Sequence, residues 1–69
     1  MLREIRIKHK IKISEIAARA RLSRPTVERA EKGMYISEFS AQLIARAVSD
    51  LTDGQHYSVS DLGIKVRGE

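Results

Sequence analysis

Arg24, Arg29 and Lys32 fall inside the stretch SRPTVERAEKG, residues 23–33, with Thr26 and Glu28 between them. A guanidinium fork matches phosphate oxygens or the edge of a guanine, and an ammonium group acts as a point charge toward phosphate. A threonine methyl fits against thymine, and a carboxylate can accept from cytosine. These are side chains for binding a polyanion. Catalysis finds less to work with. Serine, histidine and aspartate all occur, but their order suggests no triad and no strained nucleophile turn, so no enzyme activity is expected. His9 and His56 stand without cysteines and suggest no metal constellation, so no metal or cofactor is expected.

The charge is unevenly spread. Through Gly33 there are ten cations and four acids, a balance of +6; from Met34 onward there are three cations and five acids, a balance of −2. A basic half of this kind suits a polyanion partner. With 69 residues the chain reads as one small domain over 1–69. It has no cysteine, so neither a disulfide framework nor a cysteine zinc site can hold it together. Apolar runs are short, and neither a membrane span nor a secretory signal is expected. Together these fit a cytoplasmic protein with no membrane partner.

The elements that position the cations follow from periodicity. Ile16, Ala17 and Ala20 repeat at helical spacing in a segment rich in alanine. "RLS" interrupts them. Ser23 is suited to cap a new helix, Pro25 to its first turn, and Gly33 to its end. Residues 13–33 therefore predict two short helices joined by a tight turn, with Val27 and Ala30 on the inner face of the second. Ser37 opens another helix, whose apolar stripe runs Phe39, Leu43, Ile44, Ala47, Val48 and Leu51. A last short helix is expected near Ser58, Val59 and Leu62, followed by a short strand or extended tail over about 63–69.

"IRIKHKIKI", residues 5–13, alternates strictly between isoleucine or histidine and a cation. Alternation marks a half-buried strand, or it arises where one helix ends and another begins. A lone strand would have only the tail to pair with. The helical alternative is therefore favoured, with residues 2–9 helical, Lys10 ending the helix, Ile11 turned inward and Ile13 starting the next. Ile5 is expected to be buried near Ile16 and Val27.

In order and at these spacings the residues resemble the lambda-repressor-like (Xre/Cro) helix-turn-helix family over roughly residues 2–62. The family's inward arginine of the first helix is matched by Arg6, and the alanine inside the second by Ala17. Leu22 and Ser23 match the apolar turn residue and the cap that follows it. Val27 matches the buried β-branched residue of the recognition helix, and Glu31-Lys32-Gly33 the Glu-x-Gly that ends it. Ile44 and Ala45 match a Leu-Ala-like pair in the next helix. Three positions depart from the pattern. Arg21 stands where glycine is usual. Lys12 and Ile13 replace a polar cap and a phosphate-binding glutamine. The loop "MYI" after Gly33 is poor in cations.

The resemblance implies an all-α, five-helix domain whose recognition helix enters the major groove of duplex DNA. Arg24, Pro25, Thr26, Glu28 and Arg29 would then face bases, with helix initiation a further role for Pro25. Lys12, Ser23, Lys32 and the backbone amides at Ser37 and Glu38 would face phosphates, and Lys8 and Lys10 would add to the field. Arg6 and Glu31 would form a structural ion pair beneath the recognition helix. The implied function is a transcriptional regulator, a repressor acting by operator occupancy as a homodimer, of bacterial, archaeal, phage or plasmid origin, with no small-molecule ligand. Tyr57, Val59, Ile64 and Val66 are the expected dimer surface. Two rivals stand beside it: a DNA-binding antitoxin that also clamps a toxin, and a helix-turn-helix module that binds protein and not DNA.

Overall fold

The computed structural model describes residues 1–67. Four helices follow one another: α1 (Leu2–Lys8), α2 (Ile13–Ala20), α3 (Arg24–Glu31) and α4 (Glu38–Leu51). Helix α2 packs against both α3 and α4, and α1 closes over α3. Alanines line these contacts. Ala17, Ala20, Ala30, Ala41, Ala45 and Ala47 are all buried, so the helix axes approach closely while Leu2, Ile16, Val27, Ile44, Val48 and Leu62 supply the bulk. Apolar area removed from water, at roughly 25 cal/mol per Å², is the main force holding so short a chain together.

The alternating stretch 5–13 is divided between elements. Helix α1 ends at Lys8, Lys10 adopts a left-handed conformation (φ 56°), Ile11 is buried, and Ile13 opens α2. Ile7 is exposed, so the alternation never becomes one face of a sheet. Ile5 is only partly buried against the core, and Leu2 is the fully buried residue of α1.

The ends of the first three helices share one closure. In each, a left-handed residue lets the next amide bond back to a carbonyl five residues earlier: Ile11 to Arg6, Leu22 to Ala17 and Met34 to Arg29. The left-handed residues are Lys10, Arg21 (φ 59°) and Gly33 (φ 81°). Only the third is glycine. A β-carbon costs on the order of 1–2 kcal/mol in this conformation, and a cation at a helix C-terminus recovers roughly 0.3–1 kcal/mol from the helix dipole. Glycine and alanine at position 21 both lose the charge, but only glycine removes the strain. Arg21→Gly is therefore expected to exceed Arg21→Ala in stability by about 1 kcal/mol. Thermal melts of the two variants check this, and equal melting temperatures would contradict it.

The described residues contain four helices, not the five expected. The segment expected to form the fifth makes a single turn. Ser58 and Asp61 cap each other reciprocally: the Ser58 amide donates to Asp61 Oδ2 at 3.0 Å, and the Asp61 amide donates to Ser58 Oγ at 3.0 Å. The Ser58 amide, and then its hydroxyl, hold the Asp61 carboxyl below its ordinary pKa. One backbone bond of helical span forms, from the Leu62 amide to the Ser58 carbonyl, before Gly63 takes φ 65° and the Ile64 amide closes on Val59. A β-carbon at Gly63 would lie 3.2 Å from the Met1 side chain, so the start of α1 also limits what can stand there.

After this turn the chain extends. Val66 forms an isolated parallel bridge with Ile36, made by Ile36 N–H to Lys65 O (3.1 Å) and Arg67 N–H to Ile36 O (2.8 Å). The last two residues of the expected tail, 68 and 69, lie outside the described residues. Ser49 ties the C-terminal segment to α4: its hydroxyl donates to Ala45 O at 2.9 Å and accepts from the Tyr57 amide at 3.0 Å.

Candidate nucleic-acid interface

Helix α3 is built to present one face. Ser23 caps it, its Oγ accepting from the Thr26 amide and lying 2.9 Å from the Thr26 hydroxyl. Pro25 sits in the first turn, where its missing amide hydrogen has no partner to lose. Val27 and Ala30 turn inward and are almost fully buried. Residues 25, 29 and 32 follow at intervals of four and three, one ridge of a helix. Pro25, Arg29 and Lys32 are all exposed along it. Arg24 is exposed beside the ridge, while Glu28 and Thr26 are half-buried on its flanks. The hydroxyl of Thr26 is engaged at the cap.

The helix is fastened from below. Arg6 Nε donates to Glu31 Oε2 at 2.5 Å, and Arg6 Nη1 donates to the Ile11 carbonyl at 3.2 Å. Both side chains of the pair are largely withdrawn from solvent, at 18% and 12% exposure. One guanidinium thus joins α1, the turn after it and the last turn of α3.

The residues expected at phosphates lie at helix ends. Lys12 is exposed at the start of α2, where its amide donates to Glu15 Oε1 at 2.8 Å. Lys32 caps the end of α3. Ser37 caps α4: its Oγ accepts from the Ser40 amide at 3.1 Å and donates to Ser40 Oγ at 3.0 Å. Its side chain is thereby committed, and what α4 offers an anion is its first-turn amides, beside the exposed Glu38.

Two features escaped the sequence pattern. Phe39, assigned to the apolar stripe of α4, is 74% exposed. The buried face of α4 runs through Ala41, Ile44, Ala45, Ala47 and Val48, Leu43 packs at its edge, and Phe39 and Arg46 lie exposed beyond it. They line an open groove of about 710 Å³ between α4 and residues 56–60, to which Tyr57 and Val59 also contribute. Conversely, Ile64 is buried, and Tyr57, Val59 and Val66 are partly buried against the chain's own core. The surface these four were expected to lend to a second copy is largely used within the fold.

His9 Nε2 lies 3.2 Å from the Tyr57 hydroxyl, with the rings edge to face. Among the described residues no group of three or more histidine, cysteine or acidic side chains could hold a metal ion. Nor, among them, is any helix long and apolar enough to cross a membrane.

A family model described as "Helix-turn-helix" matches residues 2–48, from the start of α1 into the last turns of α4. Neither the curated proteins nor the solved structures gave a significant match. The matched span holds the closely packed α2 and α3, the left-handed turn at Arg21 and the exposed face of α3. The chain belongs to the lambda-repressor-like (Xre) helix-turn-helix family, whose members bind DNA.

Proposed function

We propose that the protein is a sequence-specific regulator that binds duplex DNA and represses transcription by occupying an operator as a homodimer. The observation that carries this is the outer face of α3: Arg24, Pro25 and Arg29 are exposed opposite the buried Val27 and Ala30, in the basic half of the chain. A helix of this kind lies in the major groove with its N-terminal residues at base edges. Arg24 and Arg29 read guanine, Thr26 and Pro25 make apolar contacts, and Glu28 selects against bases that offer it no donor. Lys12, Ser23, Lys32 and the amides at Ser37 and Glu38 hold phosphates on either side. The mechanism is binding without bond-making, in the cytoplasm where such DNA resides.

One domain reads only a few base pairs, so specificity calls for two half-sites about one helical turn apart. The groove beside Phe39, which Tyr57 and Val59 also line, is the dimer surface in this proposal, in place of the more deeply packed Ile64 and Val66. A side chain so exposed and apolar is suited to anchor an interface. Phe39→Ala is expected to lower affinity for a two-half-site duplex about tenfold, roughly 1.4 kcal/mol, and to leave affinity for a single half-site nearly unchanged. Electrophoretic mobility shifts on both duplexes test this. Equal losses on the two would remove Phe39 from the dimer contact.

The same groove favours a second reading, a DNA-binding antitoxin that clamps a protein partner there. Sedimentation of the purified chain on DNA separates the two. A 2:1 complex formed by the chain alone supports the homodimer, and a strict monomer that needs a stoichiometric partner supports the antitoxin.

A further inference from the structure

The C-terminal half of the chain is acidic overall, yet two of its three cations, Lys65 and Arg67, are carried by the fold to the loop that joins α3 to α4. We infer that Lys65 and Arg67, with Tyr35, form a second clamp on the DNA backbone, gripping phosphates that flank the groove occupied by α3. This rests on the DNA-binding function proposed above.

The parallel bridge between Ile36 and Val66 sets the geometry. Alternate residues of an extended chain point to opposite sides. Ile36 is buried and Val66 partly so, which turns Tyr35 and Ser37 on one segment, and Lys65 and Arg67 on the other, to the outside. All four are exposed. The Lys65 ammonium lies over the Tyr35 ring, 5.8 Å from its centroid, an arrangement that orients the lysine without consuming its charge.

Among the described residues the ion pairs are those of the N-terminus with Glu4 and of Arg6 with Glu31, so neither Lys65 nor Arg67 is neutralised there. Two residues apart on an extended segment, they stand roughly 6.6 Å from each other along the chain, a spacing that suits neighbouring phosphates of one strand. The loop they flank runs from Lys32 to Ser37, so the clamp continues the row of groups expected at the backbone. Both residues lie beyond the family match, which ends at residue 48.

Both hydrogen bonds of the bridge are made by backbone atoms, so the side chains can be changed without breaking it. The test is a salt series with wild type, Lys65→Gln/Arg67→Gln and Lys65→Arg/Arg67→Lys, on a selected duplex and on a scrambled one. The neutralised variant is expected to weaken binding to both duplexes by the same factor. It should also flatten the slope of log affinity against log salt by about 2, since each phosphate contact contributes about 0.9. The charge-preserving variant is expected to keep the wild-type slope. If the neutralised variant melts early, the single variants carry the test, each flattening the slope by about 1. An unchanged slope in a wild type that binds DNA would overturn the clamp and leave the DNA-binding function standing. A loss confined to the selected duplex would make these residues base readers and likewise overturn it. Absence of salt-dependent binding by the wild type would overturn both.

Discussion

Glu31→Gln is expected to destabilise the domain by about 3 kcal/mol, the lower end of what breaking one side of a buried ion pair costs. The amide keeps the shape of the carboxylate and removes its charge. Arg6 then remains at 18% exposure with neutral acceptors alone, the glutamine amide oxygen and the Ile11 carbonyl, and no opposite charge beside it. In a domain this small the margin is itself a few kcal/mol, and 1 kcal/mol corresponds to roughly 4–8 °C in melting temperature. A fall of more than about 10 °C is therefore expected. The double change Arg6→Met/Glu31→Leu should recover much of that loss, because an apolar pair leaves no uncompensated charge. If Glu31→Gln melts within a degree of wild type, the pair does not hold α3 to α1.

Arg29→Ala and Lys32→Ala are expected to fail in different ways, although both residues lie on the outer ridge of α3. Arg29 stands exposed within the helix and is the base reader in the proposed function. Its loss should cost roughly 1–3 kcal/mol on the preferred duplex and relax discrimination at one base pair. Lys32 caps the far end, and its loss should weaken all duplexes nearly equally and reduce the salt slope by about 1. Titrations of both variants on a selected and a scrambled duplex decide between these outcomes. If Arg29→Ala loses the same factor on both duplexes, Arg29 is a backbone contact.

Local signals made α2, α3 and the turn between them legible. Ser23, Pro25 and Gly33 each fix a short-range geometry, and Val27 and Ala30 fix which side of α3 is inward. In the stretch 5–13 the lack of a partner strand outweighs the alternation, and the chain there ends one helix and begins the next. Long-range packing was harder to see. Ser58 announces a helix start, but the stop at Gly63 follows after one turn, and a start signal carries no length. Phe39 fits the helical stripe in sequence, and Ile44, Ala47 and Val48 of that stripe are buried, but the buried face also takes in Ala41 and Ala45 and leaves Phe39 outside it. The bridge of Val66 to Ile36 joins segments thirty residues apart and leaves no periodic trace in so short a tail. The base and phosphate roles rest on which face of α3 is exposed, and periodicity shows that face better than it shows what lies against it.

Selection of bound sequences from random duplex DNA tests the central claim most directly. The expected result is enrichment of an inverted repeat with half-sites about one helical turn apart, and a selection repeated with Arg29→Ala should lose preference at one position of each half-site. Recovery of no enriched sequence by the folded wild-type protein, across a range of salt that retains binding, would contradict sequence-specific recognition through α3.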